Sequence, residues 1–294
     1  MINKNQSFYY GLSAVFLWST SATAIKLALD ALDVFQLLFF STFTSAIILF
    51  SIVCYQGRCK LFFDAIKTKL SYFLGMAILN PLVFYFLLFS AYGRLPAQQA
   101  QTINYTWAIT LGLLSVPLLG QRLGKVDFLA MFLGYFGVVI IATQGSFLSL
   151  KFTDELGVFL ALSSTIVWAL YWIMNAAQKI DPVVGLAINF IFAVPFAFVL
   201  TLLFSDSIVV SLDAILPALY IGMCEMGVAY VFWIVALRKT TSISRVGNLI
   251  FLSPMLSLIF ISLILNETIQ SATLIGLMLI IPGIYLQNRK SQTN

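Results

Sequence analysis

The chain is a close succession of ten apolar runs, each about as long as a bilayer crossing. A helix rises about 1.5 Å per residue, so roughly 20 apolar residues span the hydrocarbon core of a membrane. The runs fall at 8–29, 34–55, 70–92, 97–119, 126–146, 156–178, 183–205, 213–237, 241–265 and 270–287. The links between them are short and polar, which leaves no room for a separate soluble domain. Composition agrees, with 61% of residues hydrophobic and 9% charged, where a soluble domain carries roughly 25% charge. Lipid must be the solvent for most side chains. The expected fold is therefore an all-α membrane protein of ten transmembrane helices.

The basic residues orient the chain. With the N-terminus in the cytoplasm, the inner segments hold Lys4; Arg58, Lys60, Lys67 and Lys69; Arg122 and Lys125; Lys179; Arg238 and Lys239; Arg289 and Lys290. The outer links hold only Arg94 and Lys151, while Lys26 and Arg245 lie within helices. Cytoplasmic loops carry the excess of Lys and Arg, so both termini are expected inside, in the cell inner membrane. The leader MINKNQ precedes a run too long for a signal peptide, so the first run reads as a retained helix. The net charge of +5 sits in short clusters between apolar runs, as suits loops facing anionic lipid rather than nucleic acid.

The sequence also repeats. Residues 119–141 lie over 265–287, which places Gln121 on Glu267 and Gly137 on Gly283 at an offset of about 146. Trp18 and Trp168 sit alike in the first helix of each half. The repeats are read as 1–146 and 147–294, five helices each. Five is odd, so the halves must have opposite topology. The charges follow: Arg122 and Lys125 after the fourth helix answer to Glu267 after the ninth. Inverted repeats of this kind build secondary transporters that work by alternating access.

Several chemistries are excluded. There is no histidine, and Cys54, Cys59 and Cys224 have no metal-ligand spacing. An odd cysteine count argues against a disulfide framework, and the three read as apolar fillers. The chain holds no Walker A loop, no G-x-S-x-G and no H-E-x-x-H, so no ATP, catalytic dyad, metal or other cofactor is expected. A membrane-embedded enzyme and a channel are the rival classes. The first lacks catalytic groups, and the second shows no charged ring or carbonyl filter. The expected partners are a small-molecule substrate and membrane lipid, with monomer and homodimer both open.

The stretches FLWSTSATAIK (16–26) and FLSPMLSLIFISLILNE (251–267), with the Gly-rich last helix, resemble the drug/metabolite transporter superfamily in its ten-helix EamA-type branch. Within it, LWST (17–20), NYTWA (104–108) and GQR (120–122) resemble the aromatic amino acid exporter group. The third piece departs from the wider family's G-E-R-L. The resemblance implies export of amino acids or related metabolites without ATP. Purine bases, S-adenosylmethionine and quaternary amines stay open as cargo.

The residues that could carry such transport are charges, helix breaks and aromatics at mid-depth. A charge at the centre of a lipid-crossing helix costs about 2.5–3.5 kcal/mol on insertion scales. Lys26 and Arg245 lie one turn from helix ends and can snorkel to the interface. Glu225, in GMCEMG, is too deep for that and must face a partner or a wet cavity. It is the candidate for coupling to a proton gradient, for binding a substrate ammonium, or for a structural bond between helices. Asn80-Pro81 interrupts the third helix, and Asn248 with Ser253-Pro254 interrupts the ninth. Paired breaks in the two halves point to a binding site. Trp18, Tyr85, Tyr105, Trp107, Trp168, Trp172 and Tyr230 could wall a cavity that stacks a ring or holds a cation. The expected substrate-binding set is these seven with Asn80, Glu225 and Asn248.

Overall fold

The computed structural model describes residues 4–120, 124–145, 154–176, 178–206, 211–239 and 248–290, and all of its regular structure there is helical. Ten apolar rods run in chain order: α1 (Lys4–Leu29), α2 (Val34–Tyr55), α3 (Cys59–Arg94), α4 (Ala97–Leu119), α5 (Lys125–Ala142), α6 (Glu155–Ala176), α7 (Pro182–Phe204), α8 (Leu212–Lys239), α9 (Leu252–Ile264) and α10 (Ser271–Lys290). Seven of them are long and apolar enough to cross a membrane, while the apolar parts of α5, α9 and α10 are shorter. The expected all-α fold with ten hydrophobic segments is the one observed. Gln121, Arg122, Lys151 and Arg245 lie outside the described residues.

Local chemistry sets several boundaries. Asp33 caps α2, its carboxylate accepting from the amides of Phe35 and Gln36. Asp181 caps α7 in the same way, with Pro182 at the first helical position. The third rod starts at Cys59, not at 70, because the lysine-rich segment after Arg58 is itself helical up to a kink at Lys69. Phe62 is buried while Lys60 and Lys67 flank it, so charge made an amphipathic turn look like a loop.

The packing follows the repeat. Adding 146 to a residue number carries α1 onto α6, α2 onto α7, α3 onto α8, α4 onto α9 and α5 onto α10. α1 lies against α8 and α9, and α6 lies against α3 and α4. The first helix of each half is thus held by the other half. α2 packs on its counterpart α7, and α5 on its counterpart α10.

The α5–α10 crossing shows the internal symmetry atom by atom. A Cβ on Gly137 would meet the carbonyl oxygen of Gly276 at 2.8 Å, and one on Gly283 would meet the carbonyl of Ala130 at 2.8 Å. The offset of 146 maps the first contact onto the second. Only a residue without a Cβ lets the two backbones approach so closely, the usual device where lipid supplies no hydrophobic drive between helices.

Side-chain bonds define two ends of the bundle. At one, Ser7 Oγ donates to the carbonyl of Ala236, and Asp181 accepts from both Arg58 and Arg238. At the other, Lys26 Nζ donates to the carbonyl of Tyr92 at 2.7 Å and Arg94 pairs with Asp154 at 3.0 Å. The end of α1 and the start of α6 therefore share one side, so the two first helices run in opposite directions.

Candidate functional site

Three rods are broken at mid-length. In α3, Asn80 is extended (φ −142°, ψ 116°) inside a π-helical segment, Ile78–Val83. Its counterpart α8 has a π-helical segment at Ile221–Ala229. In α4 the helix Ala97–Asn104 stops before Tyr105 and resumes at Trp107. The α9 counterpart begins with a 3₁₀ turn, Asn248–Phe251. So the break at Asn80-Pro81 answers to the one around Glu225, and the break at Tyr105 answers to the one before Ser253. The expected pairing of Asn80 with Asn248 and Ser253-Pro254 is corrected: third and eighth helices match, fourth and ninth match.

The breaks in α4 and α8 and the turn before α9 border a cavity of about 230 Å³, through Tyr105, Glu225 and Ile250, whereas no residue of Ile78–Val83 lines it. Eight of the ten expected site residues line it: Trp18 from α1, Tyr85 from α3, Tyr105 and Trp107 from α4, Trp168 and Trp172 from α6, and Glu225 and Tyr230 from α8. Trp168 is the hub. It stacks on Phe84 with centroids 4.5 Å apart and meets Trp107, Trp172 and Tyr230 edge-on at 6.4, 5.8 and 5.7 Å. Trp18 meets Tyr230 edge-on at 5.7 Å and leans on Trp233 at 5.4 Å. The rings fix one another at the separations that aromatic quadrupoles favour.

Glu225 is buried, at 8% exposure. The hydroxyls of Tyr85 and Ser21 lie within reach of its carboxyl, and Tyr85 and Tyr230 share a hydroxyl contact of 3.4 Å. Its Oε2 makes no hydrogen bond among the described residues. The lining adds two amides: Gln101 accepts from the Tyr92 hydroxyl, and Asn104 donates to Ser164 at 3.0 Å. Among the described lining residues there is no Lys or Arg. Ile25, Leu88, Tyr92 and Gln101 in the lining are all buried.

Asn80 is not in the lining. Its extended backbone takes it out of phase with Tyr85, Leu88 and Tyr92, and its amide lies by Tyr171 and Asn189, between α6 and α7. It is fully buried there, and neither amide atom makes a hydrogen bond among the described residues. Asn248 opens the 3₁₀ turn, but its side chain lies outside the described residues. Sequence reasoning missed Ser21, Tyr92, Gln101, Asn104 and Trp233. Helical spacing carried a signal for the first two: Ser21 follows Trp18 by three residues, and Tyr92 follows Tyr85 by seven.

The end that holds Lys26 is sealed by a contact between halves. The helix Ala97–Asn104 has no side-chain cap of its own. Glu267 supplies one from the α9–α10 link, accepting from the amide of Ala97 at 2.9 Å and from Gln98 Nε2 at 3.3 Å. Gln98 Oε1 in turn accepts from the amide of Gln270 and the hydroxyl of Thr273. A carboxylate at a helix N-terminus is favoured by both orphan amides and dipole.

These features define a class: a multi-pass helical membrane protein with inverted halves and, among the described residues, a cavity walled by aromatic rings. The EamA-like transporter family matches the chain twice, at residues 7–143 and 155–289, and the chain belongs to that family. It is similar to a protein of Archaeoglobus fulgidus named an uncharacterized transporter, 26% identical over 94% of this chain and 95% of the relative. An uncharacterized transporter of Bacillus subtilis is 27% identical over 75% of this chain and 72% of its own length. A WAT1-related chloroplastic protein of Arabidopsis thaliana is 26% identical over 94% of this chain and 68% of its own length. A solved crystal structure, 19% identical, superposes with a TM-score of 0.71 over 99% of both chains, and so shares the fold.

Proposed function

We propose that this transporter moves a small organic solute bearing an ammonium group and an aromatic or bulky apolar body, with neutral amino acids as the cargo class. The observation that carries the reading is Glu225, the one charged group among the described lining residues of a cavity otherwise walled by aromatic rings. A carboxylate takes the ammonium, and ring faces reinforce it. Stacking on Trp107, Trp168 or Trp172 would add about 0.5–1.5 kcal/mol beyond burial. The amides of Gln101 and Asn104 and the Tyr105 hydroxyl are the partners for a substrate carboxylate, which needs them because an unpaired charge in the membrane costs several kcal/mol. The resemblance of LWST and NYTWA to aromatic amino acid exporters supports the same class, by analogy rather than physics.

In this reading both termini face the cytoplasm of an inner-membrane protein, the end sealed by Glu267 faces outward, and the two halves, 1–146 and 147–294, rock about the cavity. Glu225 is the coupling group, because the same carboxyl can hold either a proton or the ammonium. The absence of Lys and Arg from the described lining favours one second reading, a quaternary amine with no carboxylate to satisfy. Counterflow in proteoliposomes separates the two. Labelled phenylalanine, tryptophan, methionine and threonine are tested beside choline and adenine. Exchange of phenylalanine, weakened more by Trp107→Ala than threonine exchange is, supports the first reading. Exchange of choline alone supports the second, and movement of adenine alone refutes both.

A further inference from the structure

Outside the cavity the chain holds a pair of thiols that transport does not use. Cys54 lies on the last turn of α2 and Cys59 opens α3. Gln56, Gly57 and Arg58 form a tight corner between them. The Gly57 amide donates to the carbonyl of Cys54 at 2.9 Å and the Arg58 amide to that of Val53 at 3.0 Å. Gly57 takes a φ of 68°, the left-handed conformation in which glycine carries no Cβ penalty. This turn folds the chain back so that Cys59 Sγ contacts Cys54 Sγ at 2.8 Å. Cys54 is exposed and Cys59 half-exposed, whereas Cys224 is buried in α8. Both sulfurs thus lie at the polar corner that ends α2 rather than inside the bundle.

We propose that Cys54 and Cys59 are a redox modification site that closes to a reversible intramolecular disulfide. The sulfurs stand within about 1 Å of bonding distance, and the corner already holds them together. The oxidant is a hydroperoxide. One thiolate attacks the peroxide oxygen and becomes a sulfenic acid, releasing water or the alcohol. The second thiol attacks that sulfur and expels water. Two thiols and one hydroperoxide thus give one disulfide, one water and one alcohol (or a second water), with two electrons passing from sulfur to oxygen. Thiol exchange with a reduced dithiol reverses the bond. In a reducing compartment such a disulfide is transient and reports oxidant level. The corner matters mechanically because Arg58 within it reaches Asp181, the cap of α7.

The test uses the full chain in membranes, with a polyethylene-glycol maleimide to count accessible thiols by gel shift. Two additions per chain are expected in the reduced protein and none after hydrogen peroxide, with two restored by dithiothreitol. Peptide mass analysis should find residues 54 and 59 linked and lighter by two hydrogens. Cys224→Ala should behave alike, and Cys59→Ser should retain no peroxide-formed disulfide. Phenylarsine oxide, which bridges paired thiols with loss of one water, should protect both sulfurs in the parent until a dithiol is added. Retention of two reactive thiols after peroxide overturns the proposal. So does separate overoxidation of each sulfur, or a disulfide only between chains. The parent's peptide masses decide the matter even if a variant fails to fold.

Discussion

At the scale of single residues, the proposed function turns on Glu225. A carboxyl in the middle of a lipid-crossing helix is expensive on any insertion scale, and a chain keeps one only for a partner or a task. Its surroundings are hydroxyls of Tyr85 and Ser21 rather than a cation, and one carboxyl oxygen faces no donor among the described residues. Under the proposed function, that arrangement lets the group exchange a proton for a ligand. Glu225→Gln keeps the shape and removes the charge. We expect normal membrane levels with counterflow reduced tenfold or more, or made insensitive to pH. Parent-like transport across the pH range would make Glu225 a structural residue. Mid-depth aromatics and the lone deep carboxylate were legible in the sequence because only helix depth was needed to single them out. Asn80 was not, since a proline marks a break without saying which way the broken residue turns. Gln101 and Asn104 were missed because an amide carries no hydropathy signal strong enough to separate a cavity wall from a packed interface.

At the scale of elements, close backbone approach does what hydrophobic burial cannot do in lipid. A Cβ on Gly222 would stand 2.3 Å from the carbonyl oxygen of Ser41 on α2, whereas one on Gly75 would meet nothing within 4 Å. Gly222→Val should therefore lower thermal stability in detergent by about 1–3 kcal/mol, the range for overpacking. Gly75→Ala should leave it unchanged within error. Equal melting of the two variants would mean that α8 can slide on α2 without cost. The link caps carry a second expectation. Burial works against ionisation of Asp181, but the amide of Val184 and the guanidinium groups of Arg238 and Arg58 outweigh it and hold the carboxyl below its usual range. A carboxyl depressed in the folded state lends stability that is complete at neutral pH and fades as pH falls through and below the usual carboxylate range, near about 4. Both arginines are well exposed, so each pair contributes about 1 kcal/mol or less. Asp181→Asn should lower stability at pH 7 by that same small increment and show no further loss from this group in acid, as read by melting curves at neutral and acidic pH. Most element boundaries were readable from the apolar runs. The start of α3 was not, because an amphipathic helix at an interface is indistinguishable by charge from a polar loop.

At the scale of the whole molecule, the two halves hold each other at their first helices. α1 packs on α8 and α9, and α6 packs on α3 and α4. Neither half encloses the cavity alone, because its lining comes from both. The inversion needed no coordinates, since an odd number of helices per repeat with reversed charge bias admits only that arrangement. The interlock did need them, because a repeat reports which elements correspond and not which ones touch. Opposed directions of α1 and α6 fix the relation between the ends of the bundle but not which end faces the cytoplasm. That assignment rests on the basic residues. The twelve placed inside include Lys4 near the start and Lys290 near the end of the chain, against Arg94 and Lys151 outside. With Cys54, Cys59 and Cys224 replaced by serine or alanine, Lys4→Cys and Lys290→Cys offer single thiols at the two termini. A membrane-impermeant maleimide should label either one only after cells are opened. A cysteine at Asp154, beside Arg94 at the opposite end of the bundle, should label in intact cells. Labelling of Lys4→Cys or Lys290→Cys in intact cells, with Asp154→Cys protected, would reverse the orientation and turn the end sealed by Glu267 toward the cytoplasm.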